Sequence, residues 1–101
     1  MIKIIYATFK NKEDAKKICE ELLNKKLISC VNYISAESSY QWENKIEHSN
    51  EIVAIMKTKK ENIKQIETEI KKMHSYDIPC ILNINVGANK DFEKWVNEVT
   101  Q

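Results

Sequence analysis

Apolar residues along this chain fall into alternating runs and helical stripes. Ile2 to Phe9 (IKIIYATF), rich in branched and aromatic residues, predicts a buried strand. Asn11 then suits a helix cap, with Glu13 and Asp14 at the positive end of the helix dipole. Behind it Ala15, Ile18, Cys19, Leu22 and Leu23 recur at helical spacing and leave the lysines to solvent. Strand character returns over Leu27–Ile34 and continues, past an irregularity expected around Ser35–Ser38, to Trp42. Glu43-Asn44 reads as a tight hairpin turn, since Asn tolerates the left-handed conformation. The partner strand runs from about Lys45 to Lys57, with Ile52, Ala54 and Met56 on one face and Val53 and Ile55 on the other. Apolar residues on both faces predict that this strand is covered twice, once by helices and once by something else.

Thr58-Lys59-Lys60-Glu61 has the spacing of a capping box, and the helix behind it carries the stripe Ile63, Ile66, Ile70, Met73. Cys80–Val86 predicts a fourth strand, and Asn89 a cap for a last helix with Phe92, Trp95, Val96 and Val99 on its apolar face. The order is βαββαβ plus a C-terminal helix: an α+β, ferredoxin-like antiparallel sheet with helices on one side and a long central hairpin. Strands that outrun their helices leave edges and faces bare, which predicts a homo-oligomer.

Composition sharpens this picture. A chain of 101 residues is one domain (1–101), able to bury roughly 60 to 70 % of its unfolded surface. Lys and Arg number 16 against 15 Asp and Glu, so no basic excess favours nucleic acid as a partner. No segment has the apolar length of a membrane span or the form of a secretory leader. The cysteines Cys19, Cys30 and Cys80 are odd in number, widely spaced and without a CxxC pair, which predicts reduced thiols in a cytoplasmic protein. One Gly and one Pro imply long elements and no flexible linker.

The ordered set SCVNYI, SSYQWENKIEHSNEIVAIMKT, HSYDIP and DFEKW resembles the CutA family of divalent-cation tolerance proteins, from Ala7-Thr8 through Trp95. The resemblance implies a ferredoxin-like subunit, a homotrimer built through the hairpin strands, and a link to copper and other divalent cations. Copper binding in bacterial relatives goes with a cysteine at the end of the first strand and two histidines before a tyrosine. Here those positions hold Ala7, Met73 and His74, so only His74 remains in register. Asn44 stands where glycine is common in the turn, and His74-Ser75-Tyr76 where His-Pro-Tyr is common.

His74 is the candidate metal ligand, since neutral imidazole suits copper, zinc or nickel; its bland alternative is to bond open carbonyls at a helix end. Met73 either adds a thioether or extends the apolar stripe. Cys30 is a buried hydrophobe or a thiolate ligand, Cys80 likewise, and His48 sits in a polar stretch. The resemblance also implies that Tyr40, Trp42, Glu51, Lys57 and Tyr76 gather where subunits meet, around a cleft suited to a small anion or zwitterion. Their alternative role is interface packing with a buried Lys–Glu pair. No nucleophile–base order, phosphate loop or HExxH appears, so binding rather than catalysis is expected. A nitrogen-regulatory-type signalling trimer that binds a nucleotide or metabolite shares the architecture. It needs phosphate-binding loops that the lone Gly87 and short connections disfavour. An acylphosphatase-type hydrolase needs an arginine, and the chain has none.

Overall fold

A computed structural model describes residues 1–101. The elements are β1 (Ile2–Phe9), α1 (Lys12–Asn24), β2 (Cys30–Trp42), β3 (Lys45–Thr58), a 3-10 turn (Lys60–Asn62), α2 (Ile63–Met73), β4 (Ile81–Val86) and α3 (Lys90–Val99). All pairings are antiparallel and the strand order is β2-β3-β1-β4, the predicted ferredoxin-like arrangement. Asn11 caps α1 as expected: its side-chain oxygen accepts from the Asp14 N–H at 2.7 Å. Glu43 and Asn44 both take positive φ, at 49° and 63°, so the hairpin closes through the turn type whose twist matches its strands.

One face of the sheet is dry. Ile5, Ala7 and Phe9 of β1 and Ile52, Ala54 and Met56 of β3 pack against Ala15, Ile18, Cys19 and Leu22 of α1 and Ile66 and Ile70 of α2. The other parity of the same strands forms a second face that the helices leave largely open. There Ile34, Leu82 and Ile84 are about half exposed, at 49, 51 and 45 %. Val53 is buried outside the main core, which agrees with the two-sided pattern expected of β3.

Strand lengths do not match. β3 pairs with β1 only from Thr58 to Ile52, opposite Phe9, yet pairs with β2 all the way to Lys45. Ala36–Trp42 and Lys45–Glu51 therefore form an arm that stands beyond the helices by roughly 20 Å. This arm makes the molecule 45 Å long and only 24 by 21 Å across.

Four local expectations are corrected. β2 runs unbroken through Ser35–Ser38, because each of those residues keeps its partner on β3. The capping box does not form: Thr58 ends β3, and its buried hydroxyl donates to the Leu27 carbonyl at 2.6 Å, joined by Asn62 Nδ2 at 3.1 Å. A carbonyl brought from 31 residues away thus outcompetes the local cap. Met73 lies at the end of its stripe, 37 % exposed, where no core remains to receive it. Asn89 occupies the cap position of α3 without a side-chain bond.

α1 ends in two hydrogen bonds of a Schellman motif, Leu27 N–H to Leu22 O and Lys26 N–H to Leu23 O, with the apolar contact pair Leu22 and Leu27 fully buried. The left-handed residue is Lys26, with φ 57°, where glycine is the usual choice. Lys26→Gly is expected to stabilise the fold by about 0.5–1 kcal/mol, because the strain relieved exceeds the chain entropy added. Urea unfolding with unchanged m-value checks this; a loss of stability would contradict it.

Candidate functional site

β4 begins at Ile81, opposite Ala7, so Thr8 has no strand neighbour on that side. The chain between α2 and β4 fills the gap. His74 caps α2 in an extended conformation, its N–H bonded to the Ile70 carbonyl, and its ring stacks on Phe9 with centroids 4.9 Å apart. Nε2 lies 2.7 Å from the Thr8 carbonyl, and Nδ1 accepts from the Tyr76 N–H at 3.1 Å. A carbonyl only accepts and an amide N–H only donates, so the ring is neutral with its proton on Nε2. Tyr76, oriented by this ring, donates its hydroxyl to Glu51 Oε2 at 2.8 Å and so ties the 74–80 segment to the base of the arm.

Between that segment and the arm lies a cleft of about 510 Å³. Register puts Tyr40 directly opposite Glu47 and Trp42 opposite Lys45, on the same face as Glu51. Tyr40, Trp42, Glu51 and Tyr76 all line this cleft of the single chain. Cys80, Glu47, Asp77 and Tyr6 line it too. Glu47 was readable by counting back across the Glu43-Asn44 turn; Tyr6 and Asp77 were not, because they arrive from β1 and the 74–80 segment. Burial first, and then the bond to Glu51, push the Tyr76 phenol well above the usual tyrosine range. The Cys80 thiol is pushed up by burial and by the Glu51 charge.

The rest of the expected group separates. Lys57 and Cys30 share the open face but sit opposite each other at the far end of β3, roughly 20 Å from Glu51. Lys57 Nζ donates to Asn32 Oδ1 and to the Ile55 carbonyl, and Cys30 Sγ accepts from Ser29 Oγ at 3.7 Å. A Lys57–Glu51 pair therefore does not form within the chain, and the chain's own lining of the cleft includes no lysine.

His74 does not suit a metal ion in this arrangement. Both ring nitrogens already have partners, Ala7 is buried and offers no donor, and no three His, Cys, Asp or Glu side chains converge on one point. Its work is positional: it closes an orphan strand carbonyl and fixes Tyr76. His48, in the arm, pairs with Ser39 Oγ across the hairpin at 2.9 Å. On the helix side Cys19 is fully buried and its thiol is pushed up to about 12, chiefly by desolvation, so it serves as core.

The model of the family described as CutA1 divalent ion tolerance protein matches residues 3–99. A divalent-cation tolerance protein CutA of Pyrococcus horikoshii is 39% identical over 99 residues, covering 97% of each chain. The protein of the same name from Archaeoglobus fulgidus is 39% identical over 102 residues, covering 100% of both. The solved structure of the A. fulgidus protein, which is described as periplasmic, superposes with a TM-score of 0.97 over all of both chains. A CutA1 structure from Oryza sativa, 29% identical, gives 0.94 over 100% of this chain and 95% of that one.

Two outcomes test the site. His74→Ala is expected to destabilise the fold by about 1–3 kcal/mol through the orphaned Thr8 carbonyl, while leaving Cu(II) binding unchanged in calorimetric titration; a specific loss of copper affinity would reverse the reading. Tyr76 and Tyr33, the latter pushed up to about 12 mainly by burial, hold their protons longer folded than unfolded. The stability they confer is complete below the ordinary value of 10.0 and declines as pH rises beyond it. Tyr76→Phe should therefore make the alkaline fall in stability shallower, measured as the unfolding midpoint against pH.

Proposed function

The chain belongs to the CutA1 family of divalent ion tolerance proteins, and we propose that it acts there as a homotrimeric, non-catalytic binding protein that holds a small ligand or ion beside its subunit contacts. The observation that carries the reading is the bare second face of the sheet, continuous with the arm. Ile34, Leu82 and Ile84 on the sheet and Tyr40 and Trp42 on the same face of the arm remain at least two-fifths exposed in the single chain. An apolar surface of that kind is what a second and third copy would cover, and the arm is long enough to reach across a neighbour.

Copper or another divalent cation fits this reading as something held between subunits, since one chain alone brings no three donors together. The groups themselves speak against catalysis. The one well-placed histidine has both nitrogens engaged, and Tyr76 and Cys80 are shifted toward their protonated, unreactive forms. No helix is long and apolar enough to cross a membrane. Balanced charge argues against nucleic acid as the partner. The three unpaired thiols support a reducing compartment, and the cytoplasm is the one we propose.

Native mass spectrometry of protein purified without added metal tests the assembly and its cargo together: three subunits are expected, and a monomer would overturn the reading. Trp42→Ala should shift the assembly toward smaller species in sedimentation velocity, because it removes the largest apolar side chain of the arm. An unchanged trimer would place Trp42 outside the contact.

A further inference from the structure

The arm leaves the body of the molecule at one step of the β3 ladder. Ile52 is the last residue of β3 with a partner on β1, and Glu51, the next one outward, is paired only with Ala36 of β2. Beyond that step the arm is a two-stranded ribbon, a structure of marginal stability and variable twist when nothing flanks it. Its direction therefore depends on what grips it at the base. On the helix side Ser35, Glu37 and Asn50 face Lys10 and Asn11 across an open space of about 450 Å³, with no side-chain bond over it. On the opposite side Glu51 accepts from the Tyr76 hydroxyl at 2.8 Å. This is the one side-chain hydrogen bond that joins arm to body; the arm's other polar pair, Ser39 and His48, lies within it.

Tyr76 is itself held from behind. His74 Nδ1 accepts its N–H at 3.1 Å, the two rings lie 4.7 Å apart, and the far ring nitrogen is anchored on the Thr8 carbonyl at 2.7 Å. The contacts thus run from the end of β1, where flanking support stops, to the first unsupported residue of β3. We propose that Thr8, His74, Tyr76 and Glu51 form a brace that aims the arm before copies of the chain meet. The proposal rests on the homotrimer proposed above and adds what prepares each subunit for it. Contacts within one chain are the relevant ones here, because a subunit must present its arm before any neighbour covers it. A chain whose arm wanders associates in proportion to the fraction correctly aimed, so a loosened brace weakens association without altering the contact surface.

Sedimentation of the intact protein over a dilution series measures association, with the same sub-denaturing urea in every sample to bring dissociation into range. Tyr76→Phe keeps the ring, removes the bond, and is expected to weaken association on the order of tenfold. Glu51→Ala should do the same, whereas Glu51→Gln, which still accepts from the hydroxyl, should retain most of the affinity. Tyr76→Phe combined with Glu51→Ala should be no weaker than either alone. Thr58→Val removes a buried bond at the opposite end of β3 and should lower urea stability while leaving association unchanged. Wild-type association in Tyr76→Phe, additive losses in the double variant, or equal losses in Glu51→Gln and Glu51→Ala overturn the brace. So does a loss in Thr58→Val as large as that in Tyr76→Phe. A wild-type chain that stays monomeric at every concentration removes the trimer instead, and the brace is then judged on the arm alone. Amide order parameters of Ala36–Trp42 and Lys45–Glu51 by NMR should fall in Tyr76→Phe, and unchanged values overturn it.

Discussion

The architecture turns on one mismatch of length: β1 stops at Phe9, opposite Ile52, while β3 carries on to Lys45 with only β2 beside it. Were the strands equal, the sheet would end flush with the helices. Instead the surplus becomes an arm, and the corner where β1 ends leaves room below it. The cleft occupies that corner. Its wall therefore mixes residues of four elements, and its far side depends on how the α2–β4 connection is held.

That connection is held by the neutral ring of His74. A strand carbonyl without a neighbour must find a donor, and an amide at a helix exit must find an acceptor. One imidazole satisfies both, which is why its tautomer is fixed and why it has little left to offer a metal. Tyr76 then reaches Glu51, so a backbone need at Thr8 is passed on as side-chain order at the arm's base. The acidic, aromatic character of the cleft follows from which side chains this chain of contacts brings together.

Local features proved legible in the sequence, and the reason is physical. Asn11 and the Glu43-Asn44 turn act within three or four residues, so their chemistry is written next to where it operates. The two-faced pattern of β3 likewise announced a strand with apolar residues on both sides, and Val53 is buried outside the helix-packed core. Thr58 misled because T-x-x-E has the same spacing whether or not a distant carbonyl claims the hydroxyl, and here Leu27 does. The bond from His74 to the Thr8 carbonyl was not legible, because it depends on where β4 stops, which no neighbouring residue encodes. Lys57 and Glu51 share a strand parity, but parity says nothing of distance along the strand, and within one chain they stand far apart.

The sheet also prescribes an order of assembly. β2 and β3 meet across a two-residue turn, so their ladder closes with little loss of chain freedom, whereas Ile4 pairs with Ile84 across nearly the whole chain. Closure of so long a loop must precede any reward from β4, which places that strand's docking late in folding. The 74–80 segment is tethered to β4 and comes in with it. The same asymmetry acts in the native state, where a six-residue edge strand bound to one neighbour is among the first elements to fray. The cleft is thus completed by the last-formed, least anchored strand of the sheet, and amide exchange along Ile81–Val86 reports how often it stands open.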